Sequence, residues 1–195
     1  MAWVKGLTHQ ALWYWVKRIK DLRENLHKRV CIRGVPKIIV VDETEIHTTQ
    51  GTLYLWFALD PYDKTLLGFS ITKGRSIIEC LLTFRYWFRC WGSKPLIVLT
   101  DGGKWYSVLD RLGVLWVTLR GGIRSYIERF VTTLKSYRWL HNILHCTCPI
   151  KAVYGSDHLS GFLTLFMLYY NFYRPHQTLN HPPLSPFLPR RWFEN

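Results

Sequence analysis

Apolar residues along this chain recur with two different periods, and the changes of period divide it into short strands and longer helices. Leu12, Trp15, Val16 and Ile19 fall at helical spacing with Thr8 placed as an N-cap, so a short helix is expected over residues 8–20. The run Ile38-Ile39-Val40-Val41 follows Pro36, is apolar on both faces and meets Asp42 and Glu43, the pattern of a buried central strand that ends in acids. Residues 53–59 and 65–72 read as two further strands; with short polar connections, the three make an antiparallel meander. Residues 76–91 place Ile77, Leu81, Phe84 and Phe88 on one helical face, with Gly92 as the stop. A second buried run over 95–100 also ends in an acid, Asp101, and the intervening helix lets it lie parallel to the first strand. A short helix over 104–112 closed by Gly113, a strand over 114–119 and a helix from about 123 to 140 complete this part. The stretch 159–172 is too short for a membrane span and carries Ser160, Thr164 and Asn171, so it is read as a buried helix.

The order strand, strand, strand, helix, strand, helix, strand, helix is that of a ribonuclease-H-like α/β fold, a mixed five-stranded sheet flanked by helices. With 195 residues and 48% hydrophobic content the chain can bury one full core, which excludes a disordered tail. Residues 35–195 are assigned to that domain. Residues 1–34 form a helical segment, either the recognition part of a helix-turn-helix or an amphipathic packing helix, and Lys17 and Arg18 are its candidate DNA contacts.

Charge narrows the partner. Lysine and arginine outnumber aspartate and glutamate by 26 to 13, a net +13, which favours a polyanion, nucleic acid ahead of a membrane. Five cysteines are an odd count in a chain too large to need disulfides, so a reducing, cytoplasmic setting is expected. No secretory signal is visible in the first residues.

If the first and fourth strands are parallel neighbours, Asp42 and Asp101 lie at one edge of the sheet, where open α/β sheets bind ligands. The next long helix must supply a third acid, and Glu128 is the sole acid between Asp110 and Asp157. Lys135 is seven residues on, so both share a helix face, with Ile127, Val131 and Leu134 expected on the packed face. Three carboxylates suit Mg²⁺ or Mn²⁺, and two such ions would serve an in-line phosphoryl displacement. Lys135, Arg124 and Arg129 are candidate phosphate contacts. Asp60 and Asp63 are left out because an antiparallel second strand puts them at the far edge. His141, His145, Cys146 and Cys148 match no common zinc spacing and are read as a helix end with buried thiols. The aromatic residues, at strand and helix spacing, are read as mostly core.

The segments Val41-Asp42-Glu43-Thr44, Tyr54-Leu55-Trp56-Phe57-Ala58-Leu59-Asp60, Leu99-Thr100-Asp101-Gly102-Gly103, Ile127-Glu128-Arg129-Phe130 and Tyr170-Asn171-Phe172-Tyr173-Arg174-Pro175-His176 together resemble the integrase-type core of a DDE insertion-sequence transposase, nearest to the insertion-sequence-six group and its archaeal relatives. The likeness spans roughly residues 37–186. It implies that Asp42, Asp101 and Glu128 bind the catalytic metals and that Lys135 contacts the element end. It also implies a prokaryotic protein that acts, as a homodimer or higher oligomer on DNA, on terminal inverted repeats and target DNA. Residues 174–180 match the usual ending of these cores, read either as a packed turn or as a DNA contact. Ser125 stands where many relatives carry asparagine, and only the recognition-helix part of the family's helix-turn-helix is visible, as in a shortened copy. The other readings are a hydrolysing nuclease or resolvase of the same fold and a silent DNA-binding remnant.

Overall fold

The computed structural model describes Tyr14, Arg18, Ile19 and residues 22–31, 34–48, 51–119, 123–136 and 156–184. Its strands are β1 (Ile38–Thr48), β2 (Gly51–Leu59), β3 (Leu66–Thr72), β4 (Ile97–Thr100) and β5 (Leu115–Thr118). They form one mixed sheet in the order β3-β2-β1-β4-β5, with β1 antiparallel to β2, β2 antiparallel to β3, and β4 parallel to both β1 and β5. The helices are α1 (Arg23–Val30), α2 (Ile77–Trp91), α3 (Val108–Arg111), α4 (Ile123–Ser136) and α5 (Ser156–Phe172), and a 3₁₀ turn (Lys104–Ser107) leads into α3. This is the mixed five-stranded, helix-flanked α/β architecture that the order of apolar runs implies.

One strand departs from expectation in a way that matters. β1 does not end at its acids: β2 pairs with it from Val40 opposite Leu59 as far as Thr48 opposite Gly51. β4, by contrast, pairs only from Ile38 opposite Ile97 to Val40 opposite Leu99. Asp42 therefore sits in the middle of a strand that is paired on one side and open on the other. The polar second half of β1 concealed its length, because Glu43, Thr44 and Glu45 do not look like the interior of a strand.

Alternation along β1 and β2 assigns the two faces of the sheet. Glu43 lies opposite Trp56, and Trp56 meets Tyr106 at 6.0 Å between ring centroids, on the side covered by α2 and the 3₁₀ turn. Asp42 lies opposite Phe57, whose ring is 5.2 Å from Phe130 of α4; Phe130 in turn packs on Phe166 and Tyr170 of α5. The buried stripe of α4 is Ile127, Phe130 and Leu134 with Val131 half-buried, so Phe130 carries packing that spacing had given to Val131.

A reciprocal capping box between Ser76 and Glu79 opens α2, and Gly92 closes it in the left-handed conformation at φ 75°. Its buried stripe is turned from the expected one. Ile77 is exposed, and the packed residues are Cys80, Phe84, Trp87, Phe88 and Trp91. These residues are themselves an apolar stripe at helical spacing and the more aromatic of the two, and the indole N–H groups of Trp87 and Trp91 add polar ties to β3, donating to the carbonyls of Phe69 and Leu67 at 3.3 and 3.2 Å.

Two buried polar side chains hold outlying elements to the sheet. Asn171 of α5 donates to the carbonyl of Leu66 at 2.8 Å and accepts from its N–H at 2.9 Å, completing the first residue of edge strand β3 as a neighbouring strand would. His27 of α1 is fully buried between Phe69 and Tyr86, and its Nε2 accepts from the Phe69 N–H at 3.4 Å. Leu26, Val30 and Cys31 belong to the same hydrophobic core as the sheet. Cys31, Cys80 and Cys90 are free thiols, and burial pushes those of Cys31 and Cys80 up to about 12. Among the described residues no helix is long and apolar enough to cross a membrane.

Burial, followed by the positive charge of Arg23, lowers His27 from 6.5 to about 3, so the folded state keeps it neutral where the unfolded chain protonates. A histidine with a depressed folded-state pKa contributes stability above pH 6.5 that is lost as the pH falls towards 3. Denaturant titration should show this term removing about 2 kcal/mol between pH 7.5 and 5, and His27→Gln should abolish that part of the slope. Asn171→Leu should destabilise by about 2–4 kcal/mol in the same assay, because it orphans both the N–H and the carbonyl of Leu66.

Candidate active site

The site begins where β4 stops. Thr100 is its last residue, and Asp101 follows at the height of the open side of β1, so Asp42 and Asp101 line one recess together with Val40, Leu99, Leu119 and Ile127. Each carboxylate is oriented by backbone: Asp42 Oδ1 accepts from the Glu43 N–H at 3.0 Å and Asp101 Oδ1 from the Gly103 N–H at 2.9 Å. Gly102 takes φ 87°, and a Cβ there would lie 2.7 Å from Thr118 Cγ2 of β5. At Gly103 a Cβ would lie 2.3 Å from the Trp105 ring. The two glycines are thus what allows the chain after Asp101 to turn tightly between β5 and its own indole.

Behind this pair, on the opposite face of β1, lies a polar cluster. Glu43 has its side chain 2% exposed; it accepts from the Tyr106 hydroxyl at 2.5 Å and pairs with Arg75 at 3.5 Å. Arg75 also reaches Glu45 at 3.6 Å, and its guanidinium lies 4.5 Å from the centre of the Trp105 ring and 5.5 Å from that of Tyr54. Burial raises the Glu43 carboxyl above the ordinary range, and the nearby Asp101 adds to the rise, against the lowering effect of Tyr106, Arg75 and Trp105. The Tyr106 phenol is pushed well above 10, first by burial and then by Glu43, with Asp42 and Asp101 contributing. Glu43 thus bonds the phenol directly, while Asp42 and Asp101 act on it through their charge alone.

Glu128 does not line the recess. It is exposed on α4, one residue past Ile127, which does, and its carbonyl accepts from Thr132 at 2.9 Å. Lys135 and Arg129 are also exposed on α4. Arg18 is exposed and donates to the Tyr14 hydroxyl at 2.9 Å. Lys17, the side chain of Arg124, and the quartet His141, His145, Cys146 and Cys148 lie outside the described residues. Asp60 accepts from the N–H groups of Tyr62 and Asp63, at 2.7 and 3.1 Å, capping the turn at the far edge of the sheet. Residues 174–180 fold back on themselves: His176 donates its N–H to the carbonyl of His181 at 3.0 Å, and the Leu184 N–H donates to the Asn171 carbonyl at 2.8 Å. Burial lowers His176, and the positive charges of Lys64, Arg174 and Arg129 lower it further, so α4, the β2–β3 turn and the carboxy-terminal turn bring cations to one area.

No family model matches the chain. A search of solved structures finds the catalytic core domain of HTLV-2 integrase in complex with magnesium, in a trimeric form, with a TM-score of 0.55 over 78% of this chain and 98% of that one at 16% identity. It also finds the catalytic core of BIV integrase, with a TM-score of 0.51 over 80% of this chain and 97% of that one at 14% identity. The fold is that of an integrase catalytic core. A chain of a simian T-cell lymphotropic virus intasome, solved with a PP2A regulatory subunit, gives a TM-score of 0.59 at 14% identity over 80% of this chain and 56% of that one. Among curated proteins, an uncharacterized protein of Methanocaldococcus jannaschii is 27% identical over 132 residues, 67% of this chain; the chain spans 59% of that relative's length.

Within this integrase-core fold the donor chemistry suits a hard divalent cation. Asp42 offers carboxylate oxygens from within β1 and Asp101 from just past the end of the adjacent β4; among the described residues no three Asp, Glu, His or Cys side chains stand close enough to hold an ion by themselves. Mg²⁺ tolerates such a set, because it usually keeps several waters and takes substrate oxygens with one or two carboxylates.

Tyr106 and Arg75 escape the sequence reading because no spacing rule links them to β1, and Glu43 enters it only as the second acid at the end of its strand. Alternation alone places Glu43 on the buried face; it does not name the partners there. Because Gly102 must hold a positive φ against Thr118, Gly102→Ala should cost about 1–3 kcal/mol in denaturant unfolding. An unchanged midpoint would show that the loop after Asp101 is not held as described.

Proposed function

We propose that this chain carries the catalytic core of a DNA transposase of the insertion-sequence type, one that cuts at the ends of its element and joins the freed 3′ hydroxyl to target DNA. The observation that carries the reading is the convergence of Asp42 and Asp101 in one recess of an integrase-core fold, on a chain of net charge +13. The motif likeness to the insertion-sequence-six group adds the transposase rather than the viral branch of chemistry. One of the solved cores it is similar to is in complex with magnesium, and another belongs to an intasome, which supports metal-dependent work on DNA.

In this reading Asp42 and Asp101 hold Mg²⁺ or Mn²⁺ between β1 and β4, and Glu128 on α4 supplies the third carboxylate. The bound ions, two in number, would offset phosphate charge and favour the attacking and leaving oxygens of an in-line displacement. The protein's own part is to fix the two aspartates on a rigid sheet and to guide the DNA backbone. Lys135 and Arg129 on the exposed face of α4, with Arg124, are the phosphate contacts of the core. Lys17 and Arg18 in the segment 1–34 would add contacts to the terminal inverted repeats. Joining two element ends requires two cores, so the working form is a homodimer or higher oligomer on DNA, in a prokaryotic cytoplasm.

Purified protein should cut and join short duplexes bearing the inverted repeats that flank its gene, in Mg²⁺ or Mn²⁺ and not in EDTA. Asp101→Asn should lower the rate by about three orders of magnitude, the scale of several kcal/mol of lost charge stabilisation, and leave duplex affinity within about two-fold. Hydrolysis without any joined product would replace this reading with a nuclease. DNA binding with no metal-dependent chemistry in the unmodified chain would replace it with a silent binding protein.

A further inference from the structure

Glu43 is adjacent to one proposed metal ligand, yet it faces the interior on the other side of the sheet. Its carboxylate accepts from Tyr106, in the 3₁₀ turn that follows the other proposed ligand, and pairs with Arg75, in the connection from β3 to α2. Arg75 covers the Trp105 ring, and that ring packs against Gly103, whose N–H holds Asp101 Oδ1. An unbroken set of contacts thus runs from the residue beside Asp42, through Tyr106, Trp105 and Gly103, to the carboxylate of Asp101. The parallel ladder between β1 and β4 ends at Val40 and Leu99, so backbone pairing does not reach the acids themselves.

We propose that Glu43 is a positioning residue which, through Tyr106 and Arg75, sets the separation of Asp42 and Asp101 and so the affinity of the site for divalent metal. The proposal rests on the metal-dependent reading of the site and adds a role for a carboxylate that binds no metal. The Tyr106 hydroxyl is the spacer: it is long enough to reach from the 3₁₀ turn to β1 beneath the sheet, and its ring is held by Trp56 and Phe84 at 6.0 and 6.5 Å. Arg75 meets the same carboxylate from the other side, at 3.5 Å. Groups that hold a ligand in place without touching the ion typically change metal affinity by about 10- to 100-fold when removed.

The test uses the full chain and Mn²⁺ alone, with bound ion measured by electron paramagnetic resonance, alongside hydrogen exchange of residues 101–107 in metal-free protein. Tyr106→Phe removes one hydroxyl and no charge, so it should fold; it should weaken Mn²⁺ binding about 10-fold and speed exchange at Gly103 and Tyr106. Glu43→Asp keeps the charge but withdraws it by one methylene, and it should weaken binding by a similar factor; wild-type affinity in this variant would reduce Glu43 to a charge without a positioning role. Mn²⁺ affinity unchanged in Tyr106→Phe overturns the proposal. Absence of Mn²⁺ binding in the unmodified chain, with Asp42→Asn as control, would instead overturn the metal-dependent reading itself and the proposal with it.

Discussion

The structure depends on one pairing, the short parallel ladder between β1 and β4. Three residue pairs, from Ile38 with Ile97 to Val40 with Leu99, are enough to bring a stretch near the start of the domain beside one some sixty residues later. The ladder is buried on both faces, and its residues are apolar for that reason: Ile39, Val40, Val98 and Leu99 are all core. It also stops early. Because β4 ends at Thr100 while β1 continues against β2, a gap opens along one side of β1, and both aspartates stand at the start of that gap. A longer β4 would have paired Asp42 into the sheet and left no recess.

Parallel strands require a crossover, and α2 provides it. Its placement is set by two indole N–H bonds to β3 carbonyls as much as by apolar contact, and this couples the active edge to the opposite edge of the sheet. Asn171 performs a related task on the outer side of β3, where an unpaired strand edge would expose its N–H and carbonyl groups. Asn171 also belongs to the carboxy-terminal segment counted among those that resemble transposase cores. Here that residue is structural, and the turn after it is bonded to itself, which accounts for part of the segment without DNA.

Much of this was legible in the sequence because period and punctuation agree with each other. Gly92, Gly113 and the apolar runs between them mark the order of strands and helices, and strand order with one intervening helix yields the parallel pair. What spacing could not supply was rotation and reach. On α2 the residues Cys80, Phe84, Trp87 and Trp91 form a second apolar stripe, and spacing alone does not choose between it and the one through Ile77 and Leu81; Phe130 replaces Val131 because Phe57 offers it an aromatic partner. The length of β1 escapes the pattern because Glu43, Thr44 and Glu45 break its apolar run, although Ile46 beyond them is core. The cluster around Glu43 joins four distant segments and leaves no local signature at all.

That cluster raises a question of energy. Moving a carboxylate out of water costs several kcal/mol, and a partner at 3.5 Å with a half-exposed guanidinium returns only part of it. Apolar residues at positions 43 and 75, with phenylalanine at 106, would join β1 to the 3₁₀ turn at lower cost, as apolar replacements of whole buried ion pairs often do. Stability alone is therefore a weak account of Glu43. An apolar contact, however, is indifferent to small sliding of one surface on another, whereas a 2.5 Å hydrogen bond to a phenol fixes both distance and direction. Such a bond suits a place where two carboxylates must be held at a set separation although the backbone ladder between their strands has already ended, and it acts from the one side of the sheet that the recess leaves free.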